Sequence, residues 1–429
     1  VARGRQRAMS DSPNQPSKAP EASQEDAAAA WRAQRTQKSC LHSDKPAEAS
    51  SDGKWHPLEA TWRVCTLPFK IVHNSVAVNW RARTRPTWTA SLESAVSNLR
   101  TYSANSTLHT SMVRSVYDHV ITSSCVPDGV TRTPCDLGGG LKAYWFTSAQ
   151  IRHQAEAARF IFYVHPPTSG GPSSSTHRAL ASQLAIDAGA AVLMVDYSRT
   201  PEYTREEAQA DINKAYRWVT GQPGVIPASM LIMADGLGCA LALNLCVELR
   251  DETVAGGDDL LPAGIALLSP WVDLSESSTF QSKSWENNNQ VDYLSKRIMG
   301  FTSSGYAGLE QLTDASVSPI HASFAKFPPV HISVGQCEVL FDQGRSLAEK
   351  MRADNVIVDM DEANEMVHAF QLLAPFHSAC AAGILRLATF ARQMAPGNMK
   401  LPVEQVDALI AGLETSPSSM FTPPAGDEQ

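Results

Sequence analysis

The segment from Ser229 to Val247 constrains the fold of this chain more than any other. Met230-Leu231-Ile232-Met233 is an apolar run of strand length, Asp235-Gly236-Leu237-Gly238 is a glycine-bearing turn, and Cys239 to Val247 is an apolar run of helix length. A strand exposed on one face alternates apolar and polar residues, so a strand that is apolar throughout has both faces covered. A helix that lacks a polar face is itself interior. Together they predict a parallel sheet with helices on both sides and a sharp strand-to-helix corner at Gly236.

The same rhythm extends along the chain. Phe160 to Val164, Ala191 to Val195, Gly264 to Leu268, Val330 to Val334 and Val356 to Met360 are strand-length runs, each mostly apolar. They alternate with helical patterns at Thr176 to Ala188, Arg205 to Thr220 and Gly344 to Ala353. Gly138-Gly139-Gly140 followed by Leu141 to Phe146 reads as a hairpin turn feeding a strand; no Lys-Ser/Thr pair follows, so a phosphate cradle is disfavoured. Upstream, Ser91 to Tyr102 and Ser111 to Ile121 have helical spacing, with Leu92, Val96 and Leu99 on one face of the first, and such helices could lie over the end of a sheet.

These patterns divide the chain. Residues 1–55, rich in Ala, Ser, Gln and Pro, are expected to be a disordered or extended N-terminal segment, and 56–127 a helical N-terminal or cap region. Residues 128–395 form the expected α/β core, with a cap insertion at about 275–312, and 396–429 a C-terminal helix and tail. In that last helix Val403, Val406, Leu409, Ile410 and Leu413 share a face, which either packs back on the body or meets a protein partner. Arg3, Arg5 and Arg7 precede the first acidic residue, and the chain opens on Val1; a processed organelle precursor (mitochondrion or plastid), a basic tail or an incomplete sequence would each give that pattern.

A formal net charge of -8 gives no electrostatic reason to expect nucleic acid. No apolar run reaches the roughly 18 residues of a membrane span, so a soluble intracellular protein is expected. The eight cysteines include no C-x-x-C pair and several lie in apolar runs, which predicts reduced, mostly buried thiols. His165, His177 and His368 have no fixed local spacing that would make a metal site, so neither metal nor cofactor is expected.

With the strands placed, several motifs occur in order: His165 at a strand end followed by Ser173, Thr176, His177 and Arg178; Asp196-Tyr197 with Pro201-Glu202; Ser269-Pro270-Trp271-Val272-Asp273-Leu274; Tyr306-Ala307-Gly308; Val317-Ser318-Pro319; and Met366-Val367-His368-Ala369-Phe370-Gln371. Over about residues 130 to 395 the chain resembles the α/β hydrolase superfamily, and within it the hormone-sensitive-lipase-like carboxylesterases (α/β hydrolase fold-3). The resemblance implies a mostly parallel central sheet with helices on both faces and a helical cap. It also implies a Ser, carboxylate and His triad, with an oxyanion loop of three glycines after a His. Here the nucleophile position falls on Gly236, the carboxylate on Cys337 and the His on His368, while the oxyanion loop falls on His165, Pro166, Pro167 and Thr168.

Gly236 has no hydroxyl, and proline has no N–H to donate. Loss of the Ser from a triad costs about a million-fold in turnover. The leading expectation is therefore a catalytically inactive hydrolase-fold protein, a pseudoenzyme serving as an interaction or structural subunit of a larger assembly. Its protein partners would be held by the N-terminal extension and the C-terminal helix. One alternative is a receptor holding a small apolar ligand in the emptied pocket, as in the plant gibberellin receptors that resemble this family. The other is an active carboxylesterase-like hydrolase that uses His368 and a bound water, with Glu338 turned toward His368 as a replacement carboxylate. Cys239 and Cys337 read more simply as buried thiols than as nucleophiles.

Overall fold

The computed structural model describes residues 83–105, 127–149, 159–167, 173–222, 225–307 and 311–395, with a few isolated positions besides. In chain order the elements are α1 (Ala90–Asn105), β1 (Val130–Asp136), β2 (Lys142–Ser148), β3 (Arg159–Val164), α2 (Arg178–Asp187), β4 (Ala190–Asp196) and α3 (Arg205–Thr220). They continue as β5 (Met230–Asp235), α4 (Gly238–Val254), β6 (Gly264–Leu268), α5 (Glu276–Phe280), α6 (Lys283–Asn288), α7 (Lys296–Ala307), β7 (Val330–Gly335), α8 (Phe341–Ala353), β8 (Val358–Ala363) and α9 (Ser378–Met394).

The strands form one sheet in the order β1-β2-β4-β3-β5-β6-β7-β8. β2 runs antiparallel to both its neighbours, and every pairing from β4 to β8 is parallel. This is the expected α/β hydrolase architecture, and the apolar runs explain it. Successive residues of β5 point to opposite sides, so Ile232 and Ala234 join one core with Phe162, Leu241 and Leu267, while Leu231 and Met233 join the other with Ile161, Leu184 and Leu387. Buried residues run from Gly238 to Leu249 along α4, which lies against the sheet as its apolar sequence requires. α3 starts where Thr204 and Glu207 form a reciprocal capping box.

Three differences have physical causes. β8 begins at Val358 rather than Val356, because its partner β7 begins only at Val330, which pairs with Val358, and the Ile357 side chain is 74% exposed. β1 gave no apolar run because it is an edge strand, where a half-polar sequence and Pro134 are tolerated. α9 closes the fold against α2 and the histidine loop without a motif of its own. The expected helices at Ser111 to Ile121 and Pro402 to Leu413, and the 1–55 extension, lie outside the described residues. No helix among the described residues is long and apolar enough to cross a membrane.

α1 is tied to the body by the segment before it and by its own polar side chains. Trp88 Nε1 donates to the Glu365 carbonyl at 2.7 Å, and Thr89 Oγ1 to the Phe376 carbonyl at 2.8 Å. Arg100 donates to the Asn289 carbonyl at 3.0 Å, and Ser103 Oγ to Ser295 Oγ at 2.9 Å. The helix therefore bridges the loop after β8 and the segment between α6 and α7.

Candidate active site

The corner between β5 and α4 is built around two glycines with different duties. Gly236 has φ +52°, a left-handed conformation that costs a side chain about 1–2 kcal/mol. Its N–H donates to the Leu268 carbonyl at 2.9 Å, and its carbonyl accepts from Trp271 at 3.0 Å, which locks the corner to β6 and the loop after it. Gly238 sits where a Cβ would lie 2.4 Å from the Val164 carbonyl oxygen and 2.7 Å from that of His165. That clearance lets the first turn of α4 press against the end of β3.

His368 reaches the same end of the sheet. A Cβ on Gly236 would lie 3.4 Å from His368 Nε2 and 3.3 Å from Pro166 Cγ. The imidazole thus faces the space that a side chain at the corner would enter. Burial pushes its pKa down to about 4 against the opposing charge of Asp235, which keeps the ring neutral near pH 7. Tyr293 packs edge-on to it, with ring centroids 5.8 Å apart.

Cys337, expected at the carboxylate position, points elsewhere: its Sγ accepts from Arg85 Nε at 3.1 Å. The adjacent carboxylate turns inward. Glu338 is fully buried, and its Oε2 accepts from Ser269 Oγ at 2.7 Å and from the Gly335 N–H at 2.8 Å. Ser269 Oγ in turn accepts from the Ala369 N–H at 2.8 Å, joining Glu338 to the backbone just after His368. Glu338 Oε1 and His368 Nδ1 are both buried with no hydrogen-bond partner among the described residues. Burial pushes the Glu338 pKa up to about 8, with the charge of Asp292 adding to the rise and the bond from Ser269 opposing it.

The loop after β3 supplies fewer backbone donors than its glycine-rich counterpart would. Pro166 and Pro167 have no N–H, and Thr168 lies outside the described residues. The Pro167 carbonyl is engaged by Thr200, through both its N–H and its hydroxyl. His165 does not line the cavity at Gly236; its ring stacks on Tyr197 and both its nitrogens face carbonyls, with burial driving its pKa down to about 3. At the start of α4 the Cys239 and Ala240 N–H groups are taken by the Gly236 and Leu237 carbonyls, at 3.2 and 3.1 Å, and the helix brings its positive dipole end to the corner.

Asp235, beneath the corner, was not singled out from the sequence. Its Oδ1 accepts from Tyr163 Oη at 3.1 Å and stands 3.1 Å from His177 Nε2, so a buried acid, phenol and imidazole brace the turn from below. Cys239 is a buried free thiol in α4 whose pKa burial raises well above the ordinary range, the state of an inert core cysteine. Above the corner a cavity of about 110 Å³ is walled by Leu99, Tyr102 and Ser103 of α1, by Tyr293, Leu294, Ile298, Met299 and Thr302, and by Leu372. Among the described residues no group of three or more His, Cys, Asp or Glu could hold a metal ion.

A family model for the alpha/beta hydrolase fold matches residues 161–372. An acetyl-hydrolase of Streptomyces hygroscopicus is 31% identical over 229 residues, 53% of this chain and 74% of that protein. The chain belongs to the α/β hydrolase superfamily, in its hormone-sensitive-lipase-like branch. An esterase of Acinetobacter venetianus is 29% identical over 57% of this chain and 78% of its own. Among solved structures, an esterase from the bacterial hormone-sensitive lipase family superposes with a TM-score of 0.64 at 26% identity, covering 72% of this chain and 99% of that one. A hormone-sensitive lipase from a metagenome library gives 0.61 at 26% identity, over 70% and 97%.

These relatives overturn the expectation of an inactive interaction subunit. The proteins matched across the hydrolase core are named esterases and acetyl-hydrolases, and hydrolases of carboxylic esters are the class to which this branch belongs. The inactive reading rested on the missing hydroxyl at Gly236 and the prolines at 166 and 167; the histidine on which the active alternative relied faces the vacated space.

Proposed function

We propose that the chain hydrolyses carboxylic esters by direct attack of water, with His368 as general base and no acyl-enzyme. The observation that carries this reading is the approach of His368 Nε2 to within 3.4 Å of a Cβ position on Gly236, on the wall of an apolar cavity in an esterase fold. Glycine leaves room there for a water in place of a serine hydroxyl. The water oxygen attacks the ester carbonyl carbon and gives its proton to Nε2. The resulting oxyanion faces the N-terminus of α4, where the Leu237 N–H is the nearest donor in sequence to the corner. The tetrahedral intermediate then collapses: the bond to the alcohol oxygen breaks, and the imidazolium returns its proton to that oxygen.

Glu338 fits the role of orienting carboxylate. Its unpartnered Oε1 and the unpartnered Nδ1 of His368 are complementary, and pairing them fixes the tautomer that leaves Nε2 free to accept a proton. Since His368 is neutral above about pH 4 and Glu338 ionises only near pH 8, turnover rises with pH through about 8. General-base catalysis by a positioned side chain supplies about 10²–10⁴-fold, so turnover is slow beside a full triad.

The test is hydrolysis of p-nitrophenyl esters by the chain and by His368→Ala. The expected result is linear release without a burst, resistance to serine-directed fluorophosphonates, and loss of turnover in His368→Ala. A stoichiometric burst, or activity unchanged by that substitution, would refute the mechanism.

A further inference from the structure

The cap insertion contributes a residue to the geometry of the base. Asp292 lies between α6 and α7 and is fully buried. Its Oδ1 accepts from the Tyr293 N–H at 2.8 Å and from the His368 N–H at 3.3 Å, and its Oδ2 accepts from the Val339 N–H at 2.9 Å. One carboxylate therefore spans three segments: the cap, the loop that carries Glu338 and the loop that carries His368. Burying a carboxylate is costly unless hydrogen bonds satisfy it, and here backbone donors from all three segments do so. Asn288, four residues earlier, strengthens the same join by donating to the Gln336 carbonyl at 3.1 Å and the Glu338 carbonyl at 2.9 Å.

This placement matters because Glu338 and His368 each keep one unpartnered buried atom, and whether these meet depends on the spacing of their loops. The bond to Val339 N–H fixes the residue next to Glu338, and the bond to His368 N–H fixes the histidine itself. We infer that Asp292 is a positioning residue, holding the acid loop and the histidine loop at the separation their side chains need to pair. This rests on the hydrolase reading for its consequence in turnover but not for the pairing itself. The same segment supplies Tyr293, Leu294 and Ile298 to the cavity wall, so the part of the chain that meets substrate also sets the base.

Asp292→Asn tests it. The amide oxygen can keep one set of bonds, but the NH₂ group opposes an N–H, so the link to one loop is lost whichever way the amide turns. With ¹⁵N-labelled histidine at pH 9, the ring shifts of His368 in the unsubstituted chain should report the Nδ1–H tautomer. Asp292→Asn, and separately Glu338→Gln, should each give a mixture of tautomers. On an ester substrate Asp292→Asn should lower kcat at least about tenfold with KM within about twofold. Unchanged ring shifts in a folded Asp292→Asn protein would overturn the proposal. Absence of ester turnover in the unsubstituted chain would sink the hydrolase reading alone, because the ring shifts still decide the pairing. If Asp292→Asn does not fold, amide exchange in the unsubstituted chain decides: slow exchange at both Val339 and His368 supports the clamp, and unprotected exchange at either overturns it.

Discussion

Placing a hydroxyl at the corner by Gly236→Ser should change the kinetic mechanism rather than merely the rate. The Cβ meets Pro166 Cγ at 3.3 Å and His368 Nε2 at 3.4 Å, contacts that need a few tenths of an ångström of give, and the hydroxyl it carries is within hydrogen-bond reach of Nε2. The left-handed φ of +52° costs about 1–2 kcal/mol with any side chain, which should lower Tm by about 2–4 °C. Against that stands a catalytic gain. A triad serine is worth about 10⁶ in turnover, of which a water route with a positioned base already supplies about 10²–10⁴, leaving a gain of roughly 10²–10⁴. The weak oxyanion loop at Pro166 and Pro167 penalises both routes and cancels. Stopped-flow hydrolysis of an activated ester should show a burst equal to the enzyme concentration, and a fluorophosphonate should label the peptide containing position 236. A folded variant with neither burst nor label, turning over within about threefold of the unsubstituted chain, would refute the assignment of His368 as the base at this corner.

Three further outcomes are expected. Glu338→Gln should abolish the rise in turnover near pH 8. It should also raise Tm more at pH 9 than at pH 5: the folded-state pKa of Glu338 is raised, so its stabilising protonation is complete below the ordinary glutamate range and is lost as pH climbs through about 8, a loss that glutamine does not suffer. Gly238→Ala should cost at least about 3 kcal/mol in urea unfolding, at the upper end of overpacking penalties, because its methyl meets backbone oxygens that cannot turn aside. Ile298→Trp, which fills the cavity, should raise KM for a hexanoyl ester at least about tenfold, or roughly 1.4 kcal/mol, while leaving an acetyl ester little changed.

What the sequence made legible follows from what periodicity can encode. β6 is apolar and buried throughout, and β3, β5 and β7 are buried from Phe160, Met230 and Val330 onward with few polar residues, so their place inside a parallel sheet was readable from residue type. Gly236 and His368 were likewise locatable, each beside a strand with a recognisable neighbour pattern. The acid was harder, because Cys337 and Glu338 are adjacent in a tight turn, and one step of register separates a thiol facing Arg85 from a carboxylate facing Ser269. Asp292 carried only a faint signal, a carboxylate between Val291 and Tyr293-Leu294 after the polar run Glu286 to Gln290. Its role depends on contacts with residues 339 and 368, distant in sequence and invisible to any local pattern.

The attachment of α1 has a practical corollary for anyone cutting or recombining this protein. The stretch matched by the family model contains the corner, Glu338, Asp292 and His368, yet Leu99, Tyr102 and Ser103 all lie upstream of it. A fragment trimmed to that stretch would retain the reacting groups but open one side of the cavity and cut the ties from Trp88 and Thr89 to the chain around His368. One side of the cavity is therefore separable from the reacting groups along the chain: exchanging residues 83–105 with those of a relative would remake the α1 wall while Tyr293, Leu294 and Ile298 stay in place.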